Sequence, residues 1–350
     1  MNLLFTCIGK RGYMADYFRA QLRPGEKIIG TSHTPWTPGF CACDMGLLMP
    51  PIASDEYVPA IIDACRTHDV TGLLSFFDPD VVALSNHLDE LRAVGVVPLL
   101  PAAEAATIGF DKWRTFQTLR DAGSLVPDTT IDLEEARSGL RTGRFRFPLV
   151  VKPRTGFGGA NVFIAHNDAQ LEVFFSYAPG MLVQEFVDGD MYDIEVLSDT
   201  TQRVLHVVVW RKFLSRLGET EQAVTVEDPE LVELGARLAE TVGLVGPMDV
   251  DLFRAKDGGV RVLELNLRFG GGYPVSHLAG ADFPEMIVEI WRGGHPEPRI
   301  GQYTRGVCLL KGLQVLGGPV ESFLPALRSG GFASTSGTGL SAPGDEGPRR

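Results

Sequence analysis

A glycine-rich segment after a short apolar run is the first part of the sequence that could perform chemistry. Lys152 precedes three glycines, Gly156, Gly158 and Gly159, with Phe157 between them. Backbone N–H groups in such a loop surround phosphate oxygens, and a nearby ammonium neutralises their charge. A Walker A loop places the lysine after the glycines and continues into a helix, whereas here β-branched and aromatic residues follow. We therefore expect a hairpin whose glycine tip either covers phosphates as a lid or is a plain turn.

A second hairpin carries acids at strand spacing. Glu264, Asn266 and Arg268 alternate along one predicted strand, and Asp249 and Asp251 alternate along its partner. Because side chains of a strand alternate between its faces, each set shares one face. Oxygen ligands from acids and amides suit Mg²⁺, and an arginine beside them suits a phosphoryl group. The intervening leucines are expected on the opposite face: Leu263, Leu265 and Leu267.

The Asp111-Lys112 pair opens a predicted helix at residues 113–122. Asp111 is a good N-cap residue. Lys112 is electrostatically unfavourable in the first turn, since the helix N-terminus already carries partial positive charge. An anion bound there would make both residues favourable, while a solvated surface lysine is the simpler interpretation.

A short strand near the middle of the chain ends in polar groups. Its last residues are Gln184, Glu185, Phe186 and Val187. Such a strand end can offer backbone groups and one carboxylate to the edge of a purine. The same pattern is common in ordinary edge strands.

Composition excludes several classes of protein. The 350 residues carry 32 Lys and Arg against 44 Asp and Glu, a net charge of −12 that disfavours nucleic acid or an anionic membrane as partner. The sequence has no run of eighteen apolar residues, so no membrane-spanning segment is expected. No basic segment precedes the apolar first residues, so a signal peptide is not expected. The five cysteines form no C-x-x-C pair, so a zinc site or disulfide framework is not expected, and a cytoplasmic location fits best.

The first hundred residues alternate strands with helices, which predicts a parallel sheet covered by helices. Strands are expected at 3–8, 27–30, 72–77 and 96–99, and one helix is expected at 81–93. The dinucleotide fingerprint G-x-G-x-x-G is missing after the first strand, where only Gly9 and Gly12 stand. The pattern therefore predicts a Rossmann-like shape without a dinucleotide site, which opposes an NAD-dependent oxidoreductase.

Taken together, these motifs resemble the ATP-grasp family, in the branch of the large chain of carbamoyl-phosphate synthase. The resemblance runs from Met1 to about Leu316. Besides the motifs above it includes the opening strand and turn and the segment Phe77-Asp78-Pro79-Asp80. It implies an α/β class with an α+β lid, an ATP-grasp fold with an N-terminal Rossmann-like pre-ATP-grasp domain. The expected divisions are 1–105 for that domain, 106–187 for the linker helix and lid, 188–333 for the metal-binding subdomain, and 334–350 for a disordered tail.

The resemblance also implies roles for individual residues. Lys112 and Lys152 would hold phosphates, with the loop from Gly156 to Gly159 closing over them. The segment from Gln184 to Val187, above all Glu185 and Val187, would meet adenine. The implied metal ligands and phosphoryl contact are Asp251, Glu264, Asn266 and Arg268.

Two departures from the family pattern concern the nucleotide. Met191 stands where a glutamate usually holds the ribose, so Asp190 or Asp193 would substitute. After Gly159 the loop continues with alanine and asparagine, where serine and a further glycine are usual. A cationic segment, Arg211 to Arg216, lies where relatives approach the acceptor carboxylate. Lys212 or Arg216 is a candidate to hold that carboxylate.

These residues predict an ATP-dependent carboxylate–amine ligase that forms an amide through an acyl phosphate and releases ADP. The expected cofactors are ATP and Mg²⁺, with Mn²⁺ as the alternative ion. The expected partners are a small carboxylate and an amine, amino acids among them, and a homodimer is allowed. Two other interpretations stay open: a biotin-carboxylase-like subunit that makes carboxyphosphate, and a non-catalytic nucleotide-binding regulatory protein.

Overall fold

The computed structural model describes residues 1–318 with the exception of Leu217 and Gln314. Its strands form a parallel sheet, a small antiparallel sheet and a larger antiparallel sheet, in that order along the chain. Within these described residues, no helix has the length and apolar character needed to cross a membrane. The predicted disordered tail, 334–350, lies outside the described residues.

The N-terminal sheet has five strands in the order β3-β2-β1-β4-β5. All its pairings are parallel. Helices cover both faces, and Leu3, Leu4 and Phe5 of the central strand are consequently fully buried. The expected Rossmann-like shape is confirmed. The strands are β1 Asn2–Thr6, β2 Lys27–Ser32, β3 Met45–Leu48, β4 Val70–Ser75 and β5 Val97–Pro98.

The single helix expected at 81–93 is wrong, because two helices occupy this part of the chain. Asn86 ends the first, and its side-chain amide donates to the Val82 carbonyl at 2.7 Å. Asparagine favours such local bonds at helix ends over helix interiors. The helices of this domain are α1 Gly12–Arg19, α2 Tyr57–Thr67, α3 Asp78–Ser85, α4 Leu88–Ala93 and α5 Ala103–Phe110, with a 3₁₀ turn at Pro38–Ala42.

The small sheet has four antiparallel strands in the order β6-β9-β7-β8. The glycine loop joins β7 to β8, as the sequence predicts. Helix α6 leads into this lid from the N-terminal domain, and α7 and α8 cover one of its faces. The elements are α6 Lys112–Asp121, β6 Thr129–Thr130, α7 Leu133–Thr142, β7 Leu149–Pro153, β8 Phe163–Ala165, α8 Asp168–Phe175 and β9 Met181–Glu185.

The large sheet has six antiparallel strands in the order β14-β13-β10-β11-β12-β15. Helix α9 packs its apolar side, including Leu231 and Leu238, against Ile194 and Val207 on one face. The opposite face carries the polar residues considered below. The elements are β10 Gly189–Ser198, β11 Val204–Arg216, β12 Glu219–Thr225, α9 Pro229–Val242, β13 Gly246–Ala255, β14 Val260–Asn266, α10 Tyr273–Leu278, α11 Phe283–Trp291 and β15 Cys308–Leu310.

A bulge interrupts the regular alternation of β14. Asp251 pairs with Glu264, but the next residue, Leu252, pairs with Val262, so Leu263 is the extra residue. Leu263 therefore lies on the same side as Glu264 and is half-buried rather than packed in the core. The expectation that Leu263 shares a face with Leu265 is wrong for this reason.

Candidate active site

One cavity of about 260 Å³ lies between the lid sheet and the large sheet. It brings together three motifs that are distant in the sequence: the start of α6, the glycine loop and the end of β9. Every residue predicted to bind the nucleotide lines this cavity, except the two candidates for the ribose contact, Asp190 and Asp193. That set is Lys112, Lys152, Gly156, Phe157, Gly158, Gly159, Gln184, Glu185, Phe186 and Val187, and the predicted metal ligand Glu264 joins it.

Apolar side chains form two walls of the cavity. Val150 and Ile164 come from the lid hairpin, and Phe253 and Leu263 come from β13 and β14. Apolar walls with a few polar groups at the edge are the usual form of a small-molecule site. The cavity thus combines a flat apolar part with a cationic end at Lys112 and Lys152.

The glycine loop is tied to the start of α6. Lys112 donates its Nζ to the Gly156 carbonyl and its backbone N–H to the Arg154 carbonyl, each at 3.0 Å. Arg154 also pairs with Asp111 at 2.6 Å, and Asp111 caps α6 by accepting from the Trp113 N–H, as predicted. These contacts hold the loop over the cavity.

The two cavity lysines differ in their surroundings. Lys112 pairs with Glu264, with 2.9 Å between Nζ and Oε1. Lys152 has no comparable ion pair among the described residues, and burial lowers its pKa to about 8. A buried ammonium without a partner carboxylate is stabilised by an anionic ligand, which fits a phosphate at this end.

Beyond Glu264, the face of the large sheet opposite α9 carries a row of buried acids. Asp251 lies opposite Asp193 on one neighbouring strand and opposite Glu264 on the other. Asp249 likewise lies opposite Glu195. Since residues directly opposite in antiparallel strands point to the same face, all these side chains meet there. Asp193, Glu195 and Asp249 are each at most 5% exposed.

Lys212 is the cation embedded in this row. Its Nζ lies 2.8 Å from Asp193 and 2.6 Å from Asp251. Although burial works against the charged lysine, the two acids raise its pKa, and Lys212 in turn lowers the pKa of Asp251. Burial and the Asp251 carboxylate raise the pKa of Asp249 to about 7. The row therefore holds more acid than its internal cation can neutralise.

Three glycines after β14 allow the chain to pass close over this row. A Cβ on Gly270 would lie 2.4 Å from Glu195 Oε1, and a Cβ on Gly272 would lie 2.1 Å from the Trp210 ring. Both distances are shorter than any ordinary contact, so a side chain at either position would displace the site. Glycine is required here by close approach.

The predicted metal ligands lie together, with a donor set that fits Mg²⁺. Asp251 and Glu264 face each other across β13 and β14, and Asn266 donates to Asp251 at 3.2 Å. Two carboxylates and an amide are hard oxygen donors of the kind Mg²⁺ prefers. Lys212 pairs with Asp251 at 2.6 Å and Lys112 pairs with Glu264 at 2.9 Å. Among the described residues, no group of three or more Asp, Glu, His or Cys side chains is arranged to hold a metal ion.

Arg268 reaches the same place from outside the strand. β14 ends at Asn266, so strand alternation does not explain the position of Arg268. Its guanidinium nevertheless donates to Asn266 Oδ1 at 3.3 Å and to the Phe269 carbonyl at 2.9 Å. The turn after β14 therefore brings Arg268 beside the predicted metal ligands.

Three predicted residues have surroundings that differ from their expected roles. Asp193 does not line the cavity between the two sheets, because β10 places it beside Lys212, with which it pairs at 2.8 Å. Lys212 is engaged by two protein acids rather than open to a substrate carboxylate. Arg216 is largely exposed on the β11–β12 hairpin and pairs weakly with Glu221 at 3.5 Å.

The sequence interpretation missed several residues of the site. Phe253 alternates with Asp249 and Asp251 along β13, so the same period of two could have placed it on the site face. Leu263 could not be found that way, because its position depends on the bulge. Glu195 carried no signal in the sequence, since an isolated acid within a valine-rich strand has no motif around it.

Two family models match the chain in succession. Residues 3–99 match the PylC-like N-terminal domain, and residues 110–272 match the ATP-grasp domain. The second match spans α6, the lid and the acid row, and it ends within the three-glycine turn.

Curated relatives and a solved structure agree with these matches. The arginine-specific large chain of carbamoyl phosphate synthase from Geobacillus stearothermophilus is 24% identical over 47% of this chain and 17% of its own length. The 3-methyl-D-ornithine–L-lysine ligase of Methanosarcina acetivorans is 27% identical over 57% of this chain and 51% of its own. The chain thus spans about half or less of these relatives.

In three dimensions, the chain resembles the biotin carboxylase domain of Hydrogenobacter thermophilus 2-oxoglutarate carboxylase, a dimer solved with MgADP and bicarbonate. The two share 17% identity and a TM-score of 0.67 over 87% of this chain and 71% of that one. This likeness concerns the fold. The two domain matches show a PylC-like N-terminal domain at residues 3–99 followed by an ATP-grasp domain at residues 110–272.

Proposed function

We propose that this protein is an ATP-dependent carboxylate–amine ligase that releases ADP and phosphate. The observation that carries the proposal is the continuity of the site. A cavity with apolar walls and a lysine end reaches Glu264, and Glu264 adjoins Asp251, Asn266 and Arg268. A nucleotide bound with its base between the apolar walls would direct its phosphates at that group.

In this proposal, the protein contributes positioning and charge. Lys112 and Lys152 hold the phosphates, and the loop from Gly156 to Gly159 covers them with backbone N–H groups. The segment from Gln184 to Val187 receives the adenine edge. Such chemistry depends mainly on electrostatic stabilisation of the transferred group.

Asp251, Glu264 and Asn266 would hold Mg²⁺. When bound, the ion would supply neutralisation of phosphate oxygens as charge develops on them. Lys112 would then pair with a phosphate oxygen in place of Glu264. Lys212 and Asn266 would continue to orient Asp251. A protein of similar fold has been solved with MgADP, which supports ATP and Mg²⁺, with Mn²⁺ as the alternative ion.

The reaction is a transfer in two steps. A carboxylate oxygen of the first substrate attacks the γ-phosphorus, the bond to the β-phosphate oxygen breaks, and an acyl phosphate and ADP result. The amine then attacks the acyl carbon, phosphate leaves, and the amine loses a proton. Arg268 would stabilise the phosphoryl group in both steps. The carboxylate and the amine are themselves the nucleophiles, so no side-chain nucleophile is required.

A second cavity of about 580 Å³ is the proposed substrate region. It lies at the carboxyl ends of β1, β2 and β3 and includes Arg11, Phe77 and Glu219 in its lining. Arg11 also donates to the Phe269 carbonyl at 2.8 Å, so this cavity adjoins the Arg268 turn. Small carboxylates and amines, amino acids among them, are the proposed substrates. A homodimer and a cytoplasmic location stay predictions.

Isotope transfer tests the mechanism directly. Amino acids labelled with ¹⁸O in the carboxylate are incubated in pairs with the protein and Mg-ATP. A ligase of this type transfers one ¹⁸O into the released phosphate and continues to form ADP beyond the first turnover only when both substrates are present. Substrate-dependent AMP and pyrophosphate would contradict the proposal. Labelled phosphate from bicarbonate without an amine would favour the carboxyphosphate alternative.

Hydrogen exchange tests the nucleotide assignment without turnover. Saturating Mg-ATP is expected to protect amides within 147–185, above all in the glycine loop, where φ is positive at Gly156, Gly158 and Gly159. Exchange unchanged by nucleotide in this segment would contradict the phosphate-lid assignment.

A further inference from the structure

The turn at residues 77–80 belongs to the N-terminal domain but reaches the site of the ATP-grasp domain. It follows β4 and opens α3. Asp80 fixes the turn to the N-terminal sheet, because its fully buried carboxylate accepts hydrogen bonds from Tyr57 and Ser75 at 2.6 Å each, and also from Thr6. Asp78, two positions earlier, is therefore held in a fixed position at the end of this sheet.

Asp78 points away from its own domain toward Arg268. The distance from Asp78 Oδ2 to Arg268 Nε is 3.0 Å, and both side chains are only 12% exposed. Ion pairs on the surface of the same domain differ: the carboxylate of Asp89, which pairs with Arg92, is 99% exposed. Exposed pairs contribute little, whereas a largely buried pair between domains restricts both side chains.

The contacts of Arg268 leave part of its guanidinium free. Asp78, Asn266 and the Phe269 carbonyl each accept from a different nitrogen of the group. A guanidinium has five N–H donors, so two remain without a partner among the described residues. The group is therefore fixed in orientation and still able to bind an anion with its remaining donors.

The same turn also contacts the lid. The ring of Phe77 packs edge-to-face against Phe157 of the glycine loop, with 4.6 Å between ring centres. The turn thus lies between the loop that covers the phosphates and the arginine proposed to hold the transferred phosphoryl group.

We propose that Asp78 is a positioning residue, which orients Arg268 for the transferred phosphoryl group from the neighbouring domain. This inference rests on the role proposed above for Arg268. It means that the N-terminal domain completes the catalytic centre in addition to lining a substrate cavity. Removal of the Asp78 charge lets the guanidinium rotate and weakens its hold on the phosphoryl group, while the nucleotide cavity is unchanged.

Orthovanadate, an analogue of the transferred phosphoryl group, provides the test. Its affinity for the MgADP complex is measured for the full chain and for Asp78→Asn, Asp78→Glu and the matched surface control Asp89→Asn. We expect Asp78→Asn to weaken orthovanadate binding at least tenfold, Asp78→Glu to lie between Asp78→Asn and the unsubstituted protein, and Asp89→Asn to have no effect. MgADP affinity should change less than threefold in every variant, because Asp78 does not line the nucleotide cavity.

The outcomes separate the two proposals. If the unsubstituted protein binds MgADP but not orthovanadate, the role proposed for Arg268 fails. If it binds orthovanadate and folded Asp78→Asn binds it equally well, Asp78 is only an interdomain contact and this inference is overturned. Should Asp78→Asn fail to fold, Asp78→Glu decides: orthovanadate affinity equal to the unsubstituted protein overturns the inference, and a selective loss supports it.

Discussion

The N-terminal domain and the large sheet both bury acids, but the groups that surround those acids differ. Asp80 in the first is enclosed by the hydroxyl groups of Thr6, Ser75 and Tyr57. Asp193 and Asp251 in the second depend on one cation, Lys212, for their balance.

We propose that this difference distinguishes an acid that stabilises the fold from acids that bind a ligand. Hydroxyl donors satisfy Asp80 without any further group, although burial still raises its pKa. In the large sheet, burial and then neighbouring acids raise the pKa values of Asp249 and Glu195, and Lys212 is the lysine that pairs within their row. Perturbed carboxylates clustered in this way are candidates for a functional site.

The largest expected effect is on turnover. Glu264→Gln removes one negative charge from the proposed metal site while its shape is kept. Loss of that charge should cost several kcal/mol in the transition state, or about two to four decades in the rate of ADP formation. The rate is measured with the substrates found by the isotope experiment.

The matched control is Glu240→Gln, since Glu240 is exposed on α9. It should leave the rate unchanged. A folded Glu264→Gln protein with normal magnesium-dependent turnover would contradict the metal-site assignment. It would also contradict the proposed contrast between the N-terminal domain and the large sheet.

The second largest effect is expected on the free energy of unfolding, which should differ between the two kinds of acid. Asp80→Asn replaces one acceptor oxygen by a donor amide facing hydroxyl groups, and should lower the free energy of unfolding by about 2–4 kcal/mol. Asp249→Asn removes a negative charge from the row of acids. It should therefore lower the free energy of unfolding by less than about 1 kcal/mol, or raise it. Urea unfolding of both variants tests this, and equal losses would erase the distinction.

A smaller gain in stability is expected for Lys152→Met. Burial lowers the pKa of Lys152 from 10.5 to about 8, so the folded state holds this proton less strongly than the unfolded chain does. Stability therefore rises with pH between 8 and 10.5, and below pH 8 the full penalty of the buried charge is present. At pH 7, Lys152→Met should stabilise the ligand-free protein by roughly 1–3 kcal/mol and weaken ATP binding.

Lys256→Met is the control, because Lys256 is exposed beside Asp188. Its stability should stay within about 0.5 kcal/mol of the unsubstituted protein. A destabilised Lys152→Met protein would show that Lys152 stabilises the fold, as Asp80 does, and would contradict its role as an anion-binding group.

The smallest effect is proton uptake when ATP binds. A phosphate beside Lys152 would raise its pKa again, so binding above pH 8 should take up a fraction of one proton and ATP affinity should decline as pH rises. Calorimetry in buffers of different ionisation enthalpy measures this uptake. Uptake that persists in Lys152→Met would assign the proton to another group.

The local parts of the site could be predicted from the sequence. The glycines and Lys152 lie within one hairpin, and the period of two places Asp249 and Asp251 on one face, because these relations depend only on neighbouring residues. Even there, the bulge at Leu263 was not predictable, since the pairing partner decides where a strand gains a residue.

The sequence by itself therefore determined the residue types of the nucleotide cavity and the order of its motifs. Tertiary structure alone decided which charges meet. Lys212 reaches Asp193 and Asp251 only because β10, β11 and β13 pair side by side. Asp78 and Arg268 are 190 positions apart and meet only where two domains pack. Such contacts carry no local pattern, because they depend on how separately folded sheets are placed against each other.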